Sequence, residues 1–201
     1  LSSIQMMAFP FFEITGLRDD EMNKEEIAKT AQRLWRIHEE RNPRRLCRFL
    51  DIRIEEMPMG LDDDSIKGLI FKSSRCYCIV LNSDLDARAQ DLIILHEIGH
   101  YALGHVERAA CTCRNLFAHA ESSLMEIEAN EFVAEYLLNT KRTLEVLHET
   151  NSFYDTAKIL CVPPAIMDFK WRMLRYYNLI SRESPVYASS DCMAHLGNTM
   201  E

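Results

Sequence analysis

Residues 92–105 read LIILHEIGHYALGH, and the rest of the chain is read outward from that stretch. Leu92, Leu95, Gly99 and Leu103 share a stripe with His96 and His100, while Ile94, Ile98 and Ala102 make the other side apolar too. A helix that is apolar all round is a buried, central one. Positions four apart share a helix face, so both imidazoles can reach one ion, with Glu97 beside them. Without a metal the same pair would be two hydrogen-bonded core histidines, because buried polar groups are costly unless satisfied. Gly99, lacking a side chain, predicts the close approach of a neighbouring strand.

A catalytic zinc takes three protein ligands and keeps one position for water. His105 is not the predicted third. On a continuous helix, at about 100° per residue, it falls about 180° from His96. The next helical stretch, about 123–139, contains MEIEANEFVAE from Met125 to Glu135. Its apolar face is Met125, Ala129, Phe132, Val133, Tyr136 and Leu137. Glu126 lies beside that face next to Asn130, whereas Glu128, Glu131 and Glu135 group on what reads as a solvated face. Glu126 is therefore the predicted third ligand. Asn130, one turn on, is placed to orient a metal-bound imidazole. A rival reading makes Ser123-x-x-Glu126 a capping box, with Glu126 serving only the helix start.

Upstream, Asn23 caps a helix over 23–41 with Glu26 in the capping-box position, and Asn42-Pro43 restarts the chain for a short helix to about Leu50. Ile52 and Ile54 alternate with charges as in a strand. Gly68–Phe71 and Cys76–Leu81 read as a hairpin. Ser83 to Asp86 opens the central helix, predicted to run to about Gly104, and a loop follows over 106–121. Shorter helices cover 141–149 and 152–160, and Pro163-Pro164 starts another to about Tyr177. Helices, a small sheet and helices again make the fold class α+β. The division is a leader over 1–17, a main domain over 18–150, a C-terminal helical extension over 151–180 and a loose polar tail over 181–201. Residues 152–177 can form a helix-turn-helix-like pair carrying Lys170, Arg172 and Arg175. A packing helix built on Phe169, Trp171 and Leu174, solvated by its long basic side chains, is favoured over a DNA-contacting one.

Composition bounds the function. The 201 residues are 47% apolar and 27% charged, which excludes a disordered chain. Against 31 acidic residues stand 23 basic ones, a net charge of −8, so direct nucleic-acid binding is not expected. No apolar run approaches the ~18–20 residues of a membrane span, and Leu1 to Phe12 lacks the basic region of a signal peptide. Seven scattered cysteines, an odd number, predict reduced thiols and a cytoplasmic protein. Cys76/Cys78 and Cys111/Cys113 are spaced more tightly than a structural zinc site wants. The first pair reads as small buried hydrophobes on a strand. His38, His148 and His195 carry no ligand spacing.

HEIGHYALGH from His96, followed by MEIEANEFVAEYLL from Met125, resembles the ImmA/IrrE metallopeptidases. That family's motifs run His-Glu-x-Gly-His, then Glu-x-x-Ala-Asn-x-Phe-Ala; Val133 stands where Ala is usual. The resemblance extends over about 23–177. It implies a minimal zincin-like fold with a small sheet packed on helices around the His-Glu-x-x-His helix. It implies zinc as cofactor, His96, His100 and Glu126 as ligands, and Glu97 as the catalytic base. It also implies a cytoplasmic endopeptidase whose protein substrate is a helix-turn-helix repressor encoded nearby. The oxyanion donor stays open among His119, Tyr101 and Tyr136. The strand over 76–81 can pair with an extended substrate or be an ordinary sheet strand. Two alternatives stand beside the endopeptidase: a metal-holding module that engages a partner without efficient cleavage, and a helix-turn-helix regulator with a structural metal. An intact Glu97 favours the first reading, since a structural site needs no base beside its ligand.

Overall fold

The computed structural model describes residues 22–62, 65–112 and 119–193, with the backbone alone for 109–112 and 119–123. The leader over 1–17, the Cys111/Cys113 pair, the His119 side chain, His195 and the tail beyond 193 lie outside the described side chains.

Both predicted caps form. Asn23 accepts from the Glu25 N–H at the start of α1 (Lys24–His38), and Asn42 accepts from the Arg45 N–H ahead of α2 (Pro43–Phe49). Three strands follow: β1 (Ile52–Met57), β2 (Gly68–Ser73) and β3 (Cys76–Asn82). β2 and β3 make the expected antiparallel hairpin, and β1 lies parallel to β3 on its other side, giving the order β1-β3-β2. This decides between the two readings of 76–81: both edges of β3 are already paired, so it is an ordinary sheet strand and not one that receives an extended peptide. Ile52, Ile70, Ile79 and Leu81 enter the core, while Leu69 and Phe71 are exposed on the opposite face.

α3 (Ala87–Ala102) is capped by Asp86, which accepts from the N–H groups of Arg88 and Ala89. Its Ile93, Ile94, Leu95 and Ile98 are buried, as an all-round apolar helix requires. Gly99 does allow a close approach, but by a helix and not by a strand. A Cβ there would meet the Ala129 carbonyl oxygen at 3.3 Å and the Phe132 ring at 3.1 Å. α3 stops short of Gly104, whose φ of +74° turns the chain. α4 (His105–Thr112) follows immediately, where a loop was expected.

α5 (His119–Leu137) begins before residue 123. Glu126 is therefore inside the helix, and the capping-box reading falls. The solvated face assigned to α5 is corrected as well: Glu128, Glu131 and Glu135 are all buried. Neighbouring elements enclose the helix and each brings a cation. Lys24 of α1 pairs with Glu131, and Arg108 of α4 reaches Glu128 at 3.3 Å. Lys170 reaches Glu135 at 2.7 Å from α8 (Pro164–Tyr176). Leu137, expected in the core, is partly exposed instead.

α6 (Thr140–Thr150) and α7 (Phe153–Ile159) lead into α8, whose basic residues are engaged internally. Lys170 is fully buried and does not solvate the helix. Arg172 binds Asp168 and the Ala188 carbonyl, and Arg175 reaches Glu183 at 2.7 Å. The stretch after α8 is held and not loose as far as it is described. Asp168 accepts from the Ala188 N–H at 2.9 Å, Asn130 donates to the Ser190 carbonyl at 2.9 Å, and Met193 is buried. Among the described residues no helix is long and apolar enough to cross a membrane.

Candidate metal centre

One turn of α3 separates His96 from His100, and their rings converge. His96 Nε2 stands 3.0 Å from His100 Nε2 and 3.0 Å from Glu126 Oε2, and His100 Nε2 stands 3.4 Å from Glu126 Oε1. One ligand atom from each residue lies within 4.8 Å of the others. The contact depends on Gly99, which lets the backbone of α5 come close enough to bring Glu126 over the two rings. Two imidazole nitrogens and one carboxylate oxygen are the donor set of a catalytic zinc site. The carboxylate chemistry fits too. Glu128, Glu131 and Glu135 each have a cationic side chain, whereas the recorded partners of Glu126 are the two imidazoles.

Electrostatics follow from burial and these contacts. Burial pulls His96 down, but its bond to Glu126 and the charges of Glu97 and Glu126 outweigh that and raise it. For His100 burial prevails and the pKa falls. Burial alone would raise Glu126, yet the hydrogen bonds with His100 and His96 hold it well below the carboxylate range. Glu97 goes the other way: burial pushes it up to about 7, despite the pull of His96, and the nearby Glu126 adds to the rise. Its Oε2 accepts the Ile70 N–H of β2 at 2.9 Å, so the sheet fixes the carboxyl beside the two rings. An open cleft lies over the site, lined by Gly68, Ile70, His96, Glu97, Glu126 and Met193 among others.

Asn130 is fully buried one turn from Glu126, and its amide nitrogen is engaged with Ser190. Its Oδ1 and the ring Nδ1 of His96 are both buried without a hydrogen-bond partner. The expected far-side placement of His105 is corrected. The turn at Gly104 swings it back, so that His105 Nδ1 lies 2.9 Å from His100 Nδ1 and Nε2 lies 3.0 Å from Glu128 Oε2. Sequence reasoning missed this pair; the one local signal was the glycine that ends the helix. Of the oxyanion candidates, Tyr136 donates its hydroxyl to the Glu40 carbonyl at 2.7 Å, and Tyr101 packs edge-on against Tyr77.

A small sheet against a His-Glu-x-x-His helix, with a carboxylate delivered by a second helix, defines a small α+β metallopeptidase-like domain. Comparison with known families agrees. Residues 47–172, well over half of the chain, match the IrrE N-terminal-like domain of peptidase family M78, and the chain belongs to that family. No curated protein matches the chain.

Proposed function

We propose that this chain is a zinc-dependent endopeptidase that cuts a protein regulator in the cytoplasm, with a helix-turn-helix repressor as its substrate. The observation that carries the reading is the convergence of His96, His100 and Glu126 with Glu97 pinned beside them. The family supports peptide-bond hydrolysis and hence a protein substrate. The repressor and the compartment rest on the ImmA/IrrE resemblance, and Cys47, Cys76, Cys78, Cys161 and Cys192 as free thiols are consistent with a reducing compartment.

His96, His100 and Glu126 would hold the metal, and Asn130 would steady the His96 ring. A zinc ion so held supplies Lewis acidity toward the scissile carbonyl and the attacking water. Glu97 is the base. One of its oxygens is tied to the Ile70 N–H, which leaves the other to take a proton from the water and deliver it to the departing amine. β2 is the sheet's edge strand beside the cleft, and it takes the peptide-holding role that β3 cannot.

The test is cleavage of a neighbouring helix-turn-helix repressor, followed by gel and mass spectrometry with a chelator control. Wild type should cut, and Glu97→Gln should keep its metal yet lose roughly 10²–10⁴ in rate. A wild type that holds zinc and binds the repressor without cutting it would instead support the binding module.

A further inference from the structure

His105 and Glu128 have been given no role in the site so far, yet both are buried, at 2% and 3% exposure, on the side of His100 away from Glu126's contact with it. The contacts form a line. His100 Nδ1 faces His105 Nδ1 at 2.9 Å, and His105 Nε2 faces Glu128 Oε2 at 3.0 Å. Glu128 is in turn held by Arg108 and by the Met22 N–H.

Two ring nitrogens in contact need one donor and one acceptor. A neutral His100 that turns its Nε2 lone pair toward a metal carries its proton on Nδ1. His105 Nδ1 must then accept, so His105 carries its own proton on Nε2 and donates it to Glu128. An ionised carboxylate only accepts, which makes Glu128 the fixed end of the chain. The opposite polarity would put a hydrogen on His100 Nε2 and close it to metal.

The geometry points to His105 and Glu128 as a positioning relay that locks His100 in its metal-binding tautomer and ring orientation. It lengthens by one imidazole the carboxylate–histidine support that metal-binding histidines commonly have. The relay exists because Gly104 breaks α3 and restarts the chain as α4 with His105 at its first position. This inference rests on the metal-site reading above.

The test uses the full chain with zinc or cobalt(II) alone, and no substrate. Zinc affinity is measured by competition with a chromophoric chelator, cobalt(II) coordination by its visible absorption bands, and folding by circular dichroism of the metal-free protein. His105→Leu removes the acceptor and should weaken zinc about 10–100-fold and alter the cobalt spectrum. His105→Asn places an amide oxygen close to where Nδ1 stood and should recover most of that loss. Glu128→Gln, whose amide can donate as well as accept, should also weaken zinc in a folded protein. Unchanged affinity in folded His105→Leu and Glu128→Gln would overturn the relay. So would equal losses in His105→Asn and His105→Leu, which would mark His105 as packing only. If His105→Leu fails to fold, the comparison of Glu128→Gln with wild type decides. His100→Ala keeps the two readings distinct: if it too binds zinc like wild type, the metal centre itself is wrong.

Discussion

Gly68 sits where β2 meets α3, and substituting it should separate the two. A Cβ built on Gly68 would lie 2.3 Å from Cγ2 of Ile93 and 3.4 Å from Oε1 of Glu97. Carbon atoms rest at roughly 3.5–4.0 Å, so strand and helix must part locally by roughly 1.2–1.7 Å. Ile93 cannot yield easily, because it is buried and its Cγ2 is a branch on Cβ, not the end of a flexible chain. Overpacking of this kind costs about 1–3 kcal/mol. The displacement also stretches the 2.9 Å bond from the Ile70 N–H to Glu97, two residues along β2. Adding part of a hydrogen bond brings the expected cost of Gly68→Ala to about 2–4 kcal/mol. Urea denaturation of the metal-free protein measures it without any substrate. The decisive comparison is the double-mutant cycle with Ile93→Ala, which removes Cγ2. Ile93→Ala alone should cost about 2–5 kcal/mol, and in its background Gly68→Ala should cost less than about 1 kcal/mol. An undiminished cost in that background would refute the contact as the cause.

Glu126→Gln should weaken zinc binding by more than the roughly 10–100-fold of a residue that only supports a ligand, and so by more than Glu128→Gln, read by the same chelator competition. A larger loss in Glu128→Gln would mean that the wrong carboxylate has been assigned. Tyr136→Phe tests the alkaline limb of stability. Burial pushes the tyrosine up to about 12, against about 10 when unfolded, so its contribution is complete below pH 10 and is lost as pH rises through 12. The variant should cost about 1 kcal/mol at pH 7 for the bond to Glu40, and should lose up to about 2.7 kcal/mol less than wild type between pH 10 and 12, measured by urea titrations at each pH. Lys170→Met alone should destabilise by about 3–5 kcal/mol, because it strands the Glu135 carboxylate inside the protein. Adding Glu135→Leu should recover most of that in thermal melts, and failure to recover would show that the pair contributes more than mutual neutralisation.

What the sequence determined by itself is local in origin. The i, i+4 spacing puts His96 and His100 on one face of any helix, whatever surrounds it, and an apolar circumference makes that helix central. The caps at Asn23 and Asn42, a helix start within residues 83–86 and the β2–β3 hairpin were legible for the same reason, since each depends on residues a few positions apart. Glu126 was reachable through its neighbours on one turn of helix, although the structure distinguishes it differently. It is the glutamate of that stretch that meets two imidazoles and no lysine or arginine, not the one facing the core.

Tertiary structure decided the rest. A periodicity argument sees one helix and its apolar face but none of the elements that pack around it, so it sent Glu128, Glu131 and Glu135 to solvent. The cations that allow their burial lie 20, 107 and 35 residues away in the chain, at Arg108, Lys24 and Lys170, and no window of sequence joins them. The place of β1 beside β3 is a parallel pairing across an intervening strand, and it puts β3 in the centre and leaves β2 at an edge. His105 shows the limit most sharply. On an unbroken helix it points away from His96 and His100, and one residue with a φ of +74° brings it back against His100. Extending a helix by a turn or ending it at a glycine depends on what packs at that end, and here α4 is tied to the sheet through Glu107 and Tyr77.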